Sequence, residues 1–571
     1  MLKLRTSLFA AMTLGLPLHA QSSQPQLLLD IAPGIQGSDP QEFTALGKKT
    51  LFVADDLVHG RELWITDGTS AGTKMLIDLV PGATGSHPRN LVRMGTQVAF
   101  VAEEPSYGRE VWLTDGTASG THLLANIAAG SRTAKPEELV VAQGLLFFHV
   151  DDQIHGRELW VSDGTSAGTK MVKDIYPGYS GSGPKFLTPW GKRLAFSAED
   201  PVHGRELWVS DGTAAGTYVV ADLKHGIASG DPHELTEFGD KLAFRAFKNG
   251  VGIELLITDG TSAGTICAHD TIPGNKSGGP RYLLAHEGKL YYVGALNTAA
   301  FVWDGSTSTR LLTSSFPYTD EGSFFPVGNK VMFTAGNNQD LWVTDGSAGG
   351  TKLVIPISSS APRPRRPRFL AHFGYGRVMM GATEVSHGNE LWISDGTEQG
   401  TYPMDIVARS GSSWPAVHRD AQCFGKVIVV ANDYGVTGME PRIFDSGAVA
   451  QQHGEGFAES GCTPSFWSTD PKLGGSVKWG GHCDQAAAFS ILGIGMPGLV
   501  SFTPRASIYL DLLQSPVFVA MPVLQGEWNA SMMIPNSPGL VGLQLAMQSF
   551  VPNAQSSLGL DFSPAMFWTL R

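Results

Sequence analysis

The chain has 571 residues, with 41 Lys or Arg against 53 Asp or Glu, for a formal charge of −12. So acidic a chain offers no broad electrostatic footprint for nucleic acid. Its 16 % charged residues are too few for a charge-driven disordered protein, and 42 % hydrophobic residues suffice for packed cores.

Residues 1–20 read as a secretory signal peptide. Lys3 and Arg5 make a basic start, residues 7–18 an apolar stretch, and Leu18-His19-Ala20 a cleavage site. The stretch is too short for a membrane anchor, and no Cys lies near the cleavage point for lipid attachment. The expected location is secreted, extracellular or at the cell surface. The segment that follows, QLLLDIAPG at residues 26–34, matches the fourth apolar run of the repeat described next, and it stands without a unit of its own.

Self-similarity dominates residues 25–450. GRELWITDGTSAGT begins at Gly60, and related copies begin at Gly108, Gly156, Gly204 and Gly252, each 48 residues after the last. Later copies drift, around Trp303, at Asp340, at Gly388 and, as a trace, at Gly438. Each period holds four short apolar runs. In the third unit these are residues 139–141, 145–150, 158–162 and 170–175, separated by turn residues such as Asp163-Gly164 and Pro177-Gly178. Four strands per period and no helical periodicity predict an all-β protein, a large β-propeller of eight or nine four-stranded blades. Residues 26–31 would supply the missing fourth strand of the last unit and so close the ring without an exposed edge.

The repeated positions suggest their own roles. The aromatic position is read as Trp64, Trp112, Trp160, Trp208, Trp303, Trp342 and Trp392. At roughly 150–250 Å² and about 25 cal/mol/Å², each would contribute around 4–6 kcal/mol of gross burial between blades. A sugar-stacking ring of Trp is the functional alternative. Asp67, Asp115, Asp163, Asp211, Asp259, Asp345 and Asp395 suit turns, each carboxylate accepting a backbone N–H two residues on. Calcium is the other reading of these Asp residues, but one carboxylate per turn falls short of a converging oxygen set. No cofactor is therefore expected. Glu62, Glu110, Glu158, Glu206, Glu254, Glu390 and Glu440 persist into the degenerate units, which predicts a structural hydrogen bond to a neighbouring blade. Arg61, Arg109, Arg157 and Arg205 do not persist, which fits surface pairing.

Loops between the second and third runs carry Asp55, Asp56, His59, Glu103, Glu104, Asp151, Asp152, His155, Glu199, Asp200, His203 and His387. In a meander they share an end with the loops leaving the fourth run. Solvated loops and a cation or glycan site are the two readings, and the His spacing is not that of zinc. The basic run at residues 363–368 reads as an extended connector between blades.

Beyond a polar linker, residues 461–571 show alternating apolar runs at 507–512, 517–520, 542–547 and 565–570, predicting a small β-sandwich. Cys462 and Cys483 lie inside it and are expected to form a disulfide in an exported domain; Cys267 and Cys423 are read as single buried thiols.

On these residues the chain resembles the secreted bacterial proteins that carry the ELWxxDGT repeat. The match covers about residues 25–447 and is intact in the units at Gly60, Gly156, Gly204 and Gly388. Residues 534–560 resemble a C-terminal module found on other exported bacterial proteins. The resemblance implies no activity. The expected function is a secreted or cell-surface binding and scaffold protein that uses a multivalent propeller face, its ligand a glycan or another surface protein. The alternative is an exported polysaccharide lyase or hydrolase, with residues drawn from His233, Glu234, His286, Glu287, His372, Tyr375, His418 and Asp420 near the ring's axis.

Overall fold

The computed structural model describes residues 25–445, apart from residues 131–132, 317–323, 338, 357–361, 373–375, 385–387, 405–412, 414, 416–421, 424–425 and 434–436, and only strands between residues 465 and 569. The signal segment, Cys462, Cys483, Tyr375, His387, His418 and Asp420 lie outside the described residues, as do the side chains of Cys423 and of everything beyond residue 443.

The chain is all-β and built largely of four-stranded antiparallel sheets. In sheet one, Gln41–Leu46, Lys49–Asp55, Arg61–Thr66 and Lys74–Ile77 pair in sequence order. Sheets two to six repeat this order over residues 89–123, 137–171, 185–221, 233–269 and 281–313. Sheets seven and eight, over residues 324–353 and 365–404, repeat it too and are joined through the single pair Asp340↔Arg365. In the ninth, Gln422–Cys423, Lys426–Asp433 and Thr437–Asp445 are joined by Gln26–Leu27. Its register, Gln26↔Ile443 and Leu27↔Arg442, reproduces that of Lys74↔Ile65 and Met75↔Trp64 in sheet one.

The first strand of each sheet adjoins the first strand of the next through sheets one to seven. In sheets one to six that strand carries a bulge at which a non-glycine residue takes positive φ, at Glu42, Asn90, Glu138, Phe186, Glu234 and Tyr282, again 48 residues apart. The bulge frees backbone groups in the neighbouring strand. Glu138 accepts the N–H of Leu187 (2.9 Å) and Glu234 that of Tyr282 (3.0 Å).

Apolar side chains collect between sheets. Leu63 and Ile65 pack with Val98, Phe100 and Trp112 of sheet two. The opposite face of sheet one, with Phe52 and Trp64, packs with Ile428 to Ala431 of sheet nine and with Met379 and Leu391 of sheet eight. Every buried cluster among the described residues draws on two or more successive sheets in this way.

Two sequence expectations are corrected. Trp303 does not occupy the aromatic position. Strand pairing sets Phe301 opposite Tyr292 as Trp64 is set opposite Phe52, and leaves Trp303 opposite Leu290, where sheet one has Thr66 opposite Thr50. In the sixth unit only two residues of the strand separate Phe301 from Asp304 in sequence, as in every unit, so Trp303 directly precedes the turn. The basic run is no connector either: Arg365–His372 is the first strand of sheet eight, with a bulge between Arg365 and Arg368.

Between residues 465 and 569 the strands form antiparallel sheets of three and six strands. The longest, Phe489–Phe502, bends at a register shift between Met496 and Leu499, so that its first half pairs with Val517–Pro522 and Gln544–Pro552 and its second with Ala506–Asp511. No helix among the described residues is long and apolar enough to cross a membrane.

Candidate functional site

The repeated polar residues are engaged within their own unit. Asp67 Oδ1 accepts the N–H (2.9 Å) and hydroxyl (2.6 Å) of Thr69, and Thr69 Oγ1 accepts the N–H of Gly72 (3.0 Å). The Thr66 and Thr73 hydroxyls meet at 2.7 Å behind the turn. The same turn is built on Asp115, Asp163, Asp211, Asp259, Asp345 and Asp395. The hydroxyl bond holds the carboxyls of Asp67, Asp115, Asp163, Asp211, Asp259 and Asp345 below the usual range. A Cβ at Gly72 would lie 2.0 Å from Asp67 Oδ1, so the second glycine of DGTxxGT is required by close approach. Among the described residues no three His, Cys, Asp or Glu side chains come together as a metal site.

Trp64, Trp112, Trp208 and Trp392 are buried, Trp392 completely. Trp160 and Trp342 are partly buried against the same inter-sheet clusters. Their indole N–H groups have no hydrogen-bond partner among the described residues.

The seven repeated Glu residues are fully buried. Where described, their partners are on the connection that leaves their own sheet, rather than on a neighbouring one. Glu158 accepts Ser182 Oγ (2.5 Å), Ser182 N–H (2.8 Å) and Tyr176 N–H (3.0 Å). Glu440 makes the same set with the N-terminal segment, from Ser38 Oγ (2.6 Å) and the N–H groups of Ile31, Ala32 and Ser38. Ala134 and Gly230 stand where Ser182 would be in units two and four, and there Glu110 Oε2 and Glu206 Oε2 have no donor among the described residues. Burial pushes these two carboxyls up to about 7 and about 8.

At one end of the sheets the second-to-third loops meet the loops leaving strand four. Arg61 bridges to Gly85, and a Cβ on Gly60 would lie 2.6 Å from the Gly85 nitrogen. Here Asp and His recur in a fixed bracket. Asp152 Oδ1 accepts the N–H of Ile154 and His155, and His155 Nδ1 donates to Asp152 Oδ2 (2.6 Å). Asp56 with His59 and Asp200 with His203 do the same at 2.7 and 2.8 Å. The carboxylate beside them raises the pKa of His59 and His155. Each bracket carries an aliphatic residue at its tip: Val58, Ile154 and Val202 are 62–64 % exposed, and Ile35, Tyr179 and Ile227, on the loops leaving strand four, 75–84 %. Sequence reading found the acids and His residues but not these tips, although D-x-[VI]-H recurs in three units. Around them Arg109 pairs with Glu103 and Arg157 with Glu137, while Arg61 reaches Asp39.

The candidate enzymatic residues that are described, His233, Glu234, His286, Glu287 and His372, do not converge. His233 and Glu234 open the first strand of sheet five, whereas His286 closes the first strand of sheet six, with Glu287 in the turn beyond. At about 3.3 Å per residue, these ends lie some 15 Å apart along the strands. Glu234 is engaged with the Tyr282 N–H, and the His372 ring sits 4.6 Å from Phe325. Cys267 is a free, half-buried thiol pushed up to about 11 by burial.

At the opposite end of the sheets, one cavity of about 450 Å³ opens between sheets five and six. It is bounded by the turns at Gly239-Asp240, Glu287-Gly288 and Asp304-Gly305, with Phe238 and Trp303. Elsewhere the turn glycine rests on the preceding sheet: Gly116 on Leu46, Gly164 on Met94, Gly212 on Leu145, and Gly260 on Trp190. A Cβ on Gly305, by contrast, would meet nothing within 4 Å. The sequence signal was present, since strand four starts four residues after Asp304 but seven after Asp259.

No family model and no curated protein matches the chain. Among solved structures it is similar to a puromycin hydrolase mutant complexed with PGG (14 % identity over 63 % of this chain and 60 % of that one, TM-score 0.33). It is also similar to the tricorn protease (11 %, 92 % and 55 %, TM-score 0.24) and to the SapL1 lectin in complex with alpha methyl fucoside (13 %, 51 % and 100 %, TM-score 0.24). Likeness at this level carries no activity to this chain.

Proposed function

We propose that this is an exported binding and scaffold protein, a closed nine-bladed propeller whose end bearing the Asp–His brackets docks another surface protein. The ring reading is supported by Gln26–Leu27 completing sheet nine, by Glu440 holding residues 31–38 as Glu158 holds 176–182, and by the cluster shared by sheets eight, nine and one. The carrying observation for binding is the set of exposed aliphatic tips on pre-organised turns. Folding gains nothing from leaving Ile154, Val202 and Ile227 in water, and repeated apolar tips flanked by carboxylates form a multivalent docking face. Aliphatic tips suit a protein surface better than a sugar. Less supports the second reading, an axial enzyme, because its described candidates His233 and Glu234 lie at the far strand end from His286 and Glu287.

The test is binding of the mature chain to intact cells of the producing organism, before and after protease or periodate treatment. Protease should abolish binding and periodate should leave it, and the triple variant I154S/V202S/I227S should bind at least tenfold more weakly. Undiminished binding by that variant overturns the docking face, and loss with periodate alone redirects the reading to a glycan.

A further inference from the structure

The cavity between sheets five and six lies at the end opposite the aliphatic tips, so it is independent of the docking reading. Its floor is aromatic. Trp303 is only 3 % exposed, and its ring centroid stands 5.3 Å from that of half-buried Phe238. The Trp303 indole N–H is buried without a partner among the described residues. The regular Trp residues share that feature, and like them Trp303 packs in an apolar cluster between sheets, here with Leu255, Leu290 and Phe301.

The mouth is polar. Asp240 and Glu287 are exposed and make no hydrogen bond or ion pair among the described residues. Asp304 is engaged with Ser306 and Thr307 of its own turn. His286 Nε2 donates to the Gly328 carbonyl (2.9 Å), leaving Nδ1 as an acceptor. Lys241 faces Asp259 of its own sheet, which it helps keep ionised. The opening thus combines an apolar floor with a surplus of acceptors. Vicinal hydroxyls or an ammonium group would satisfy the carboxylates, and the apolar face of a pyranose would cover Phe238. An anionic ligand would meet three carboxylates.

We infer that this cavity, created where the DG turn of the sixth unit is three residues shorter, is a binding subsite for a neutral or amino sugar residue. Its volume suits one or two sugar rings and no more. Asp240 and Glu287 accept hydrogen bonds from the sugar.

The test is saturation-transfer NMR and calorimetric titration of the mature chain with cellobiose, maltose, chitobiose, glucosamine and, as the acidic control, glucuronate. At least one neutral or amino sugar should bind with a dissociation constant below about 10 mM, and glucuronate should not. Asp240→Asn and Glu287→Gln, both at exposed positions, should each weaken binding about tenfold. Asp152→Asn, at the other end, should leave it unchanged. No binding across the panel, preferred binding of glucuronate, or affinity unaffected by both cavity variants overturns the inference. None of these outcomes depends on whether the aliphatic tips bind a protein.

Discussion

Replacing Ala134 with Ser should stabilise this protein above neutral pH and hardly at all in acid. In units one and three the buried Glu receives a serine hydroxyl, Ser86 to Glu62 and Ser182 to Glu158, both at 2.5 Å. In unit two the residue at that place is Ala134, fully buried, and Glu110 Oε2 has no donor among the described residues. Desolvation then dominates, and the carboxyl is raised to about 7 from 4.5. A raised acid pKa means that the folded state holds a proton the unfolded chain has released. Its contribution is therefore complete below pH 4.5, falls as pH rises toward 7, and stays lost above it. At 1.36 kcal/mol per unit the loss is about 3 kcal/mol. A hydroxyl donor to the carboxylate is worth about 1.5–3 kcal/mol, so Ala134→Ser should recover about 2 kcal/mol at pH 8 and close to none at pH 4.5. Urea unfolding midpoints of both chains at the two pH values measure this. A gain that is equal at both, or a loss at pH 8, would refute the assignment of Glu110 as a donor-starved buried carboxyl. Gly230 is no equivalent test, because a Cβ there would lie 2.5 Å from Glu206 Oε2 and 2.9 Å from the Leu223 Cβ.

Glu440→Ala removes the acceptor for four donors of residues 31–38 and should cost about 3 kcal/mol or more, with amide exchange accelerating first at residues 26–38; unchanged protection there would deny that the N-terminal segment is part of the fold. Trp392→Ala empties a fully buried site and should cost about 3–5 kcal/mol, read as a lowered thermal midpoint, whereas Asp163→Ala, in an exposed turn, should cost only about 1 kcal/mol. The His155 imidazolium is favoured by Asp152, so the bracket tightens below the ordinary His pKa and relaxes as pH rises through the raised one. Binding through the aliphatic tips should weaken over that window, and Asp152→Asn should flatten the profile.

Much of the architecture is legible in the residues alone, because each 48-residue unit repeats the same four apolar runs and turn dipeptides, and a period of two within each run determines strand. The DGT turn is readable for the same reason: its hydrogen bonds close within seven residues, from Thr66 to Thr73. Register is less legible. A Trp three places from an Asp and a Trp adjacent to one look alike until pairing with Leu290 sets Trp303 at the end of its strand, two places beyond the aromatic position. The partner of Glu440 is 402 residues away at Ser38, and no local pattern states it. The cavity is further still from the sequence, because it consists of what Gly305 fails to touch. Contacts that close over a few residues are written in order along the chain; contacts between sheets depend on which faces meet, and only the packed molecule decides that.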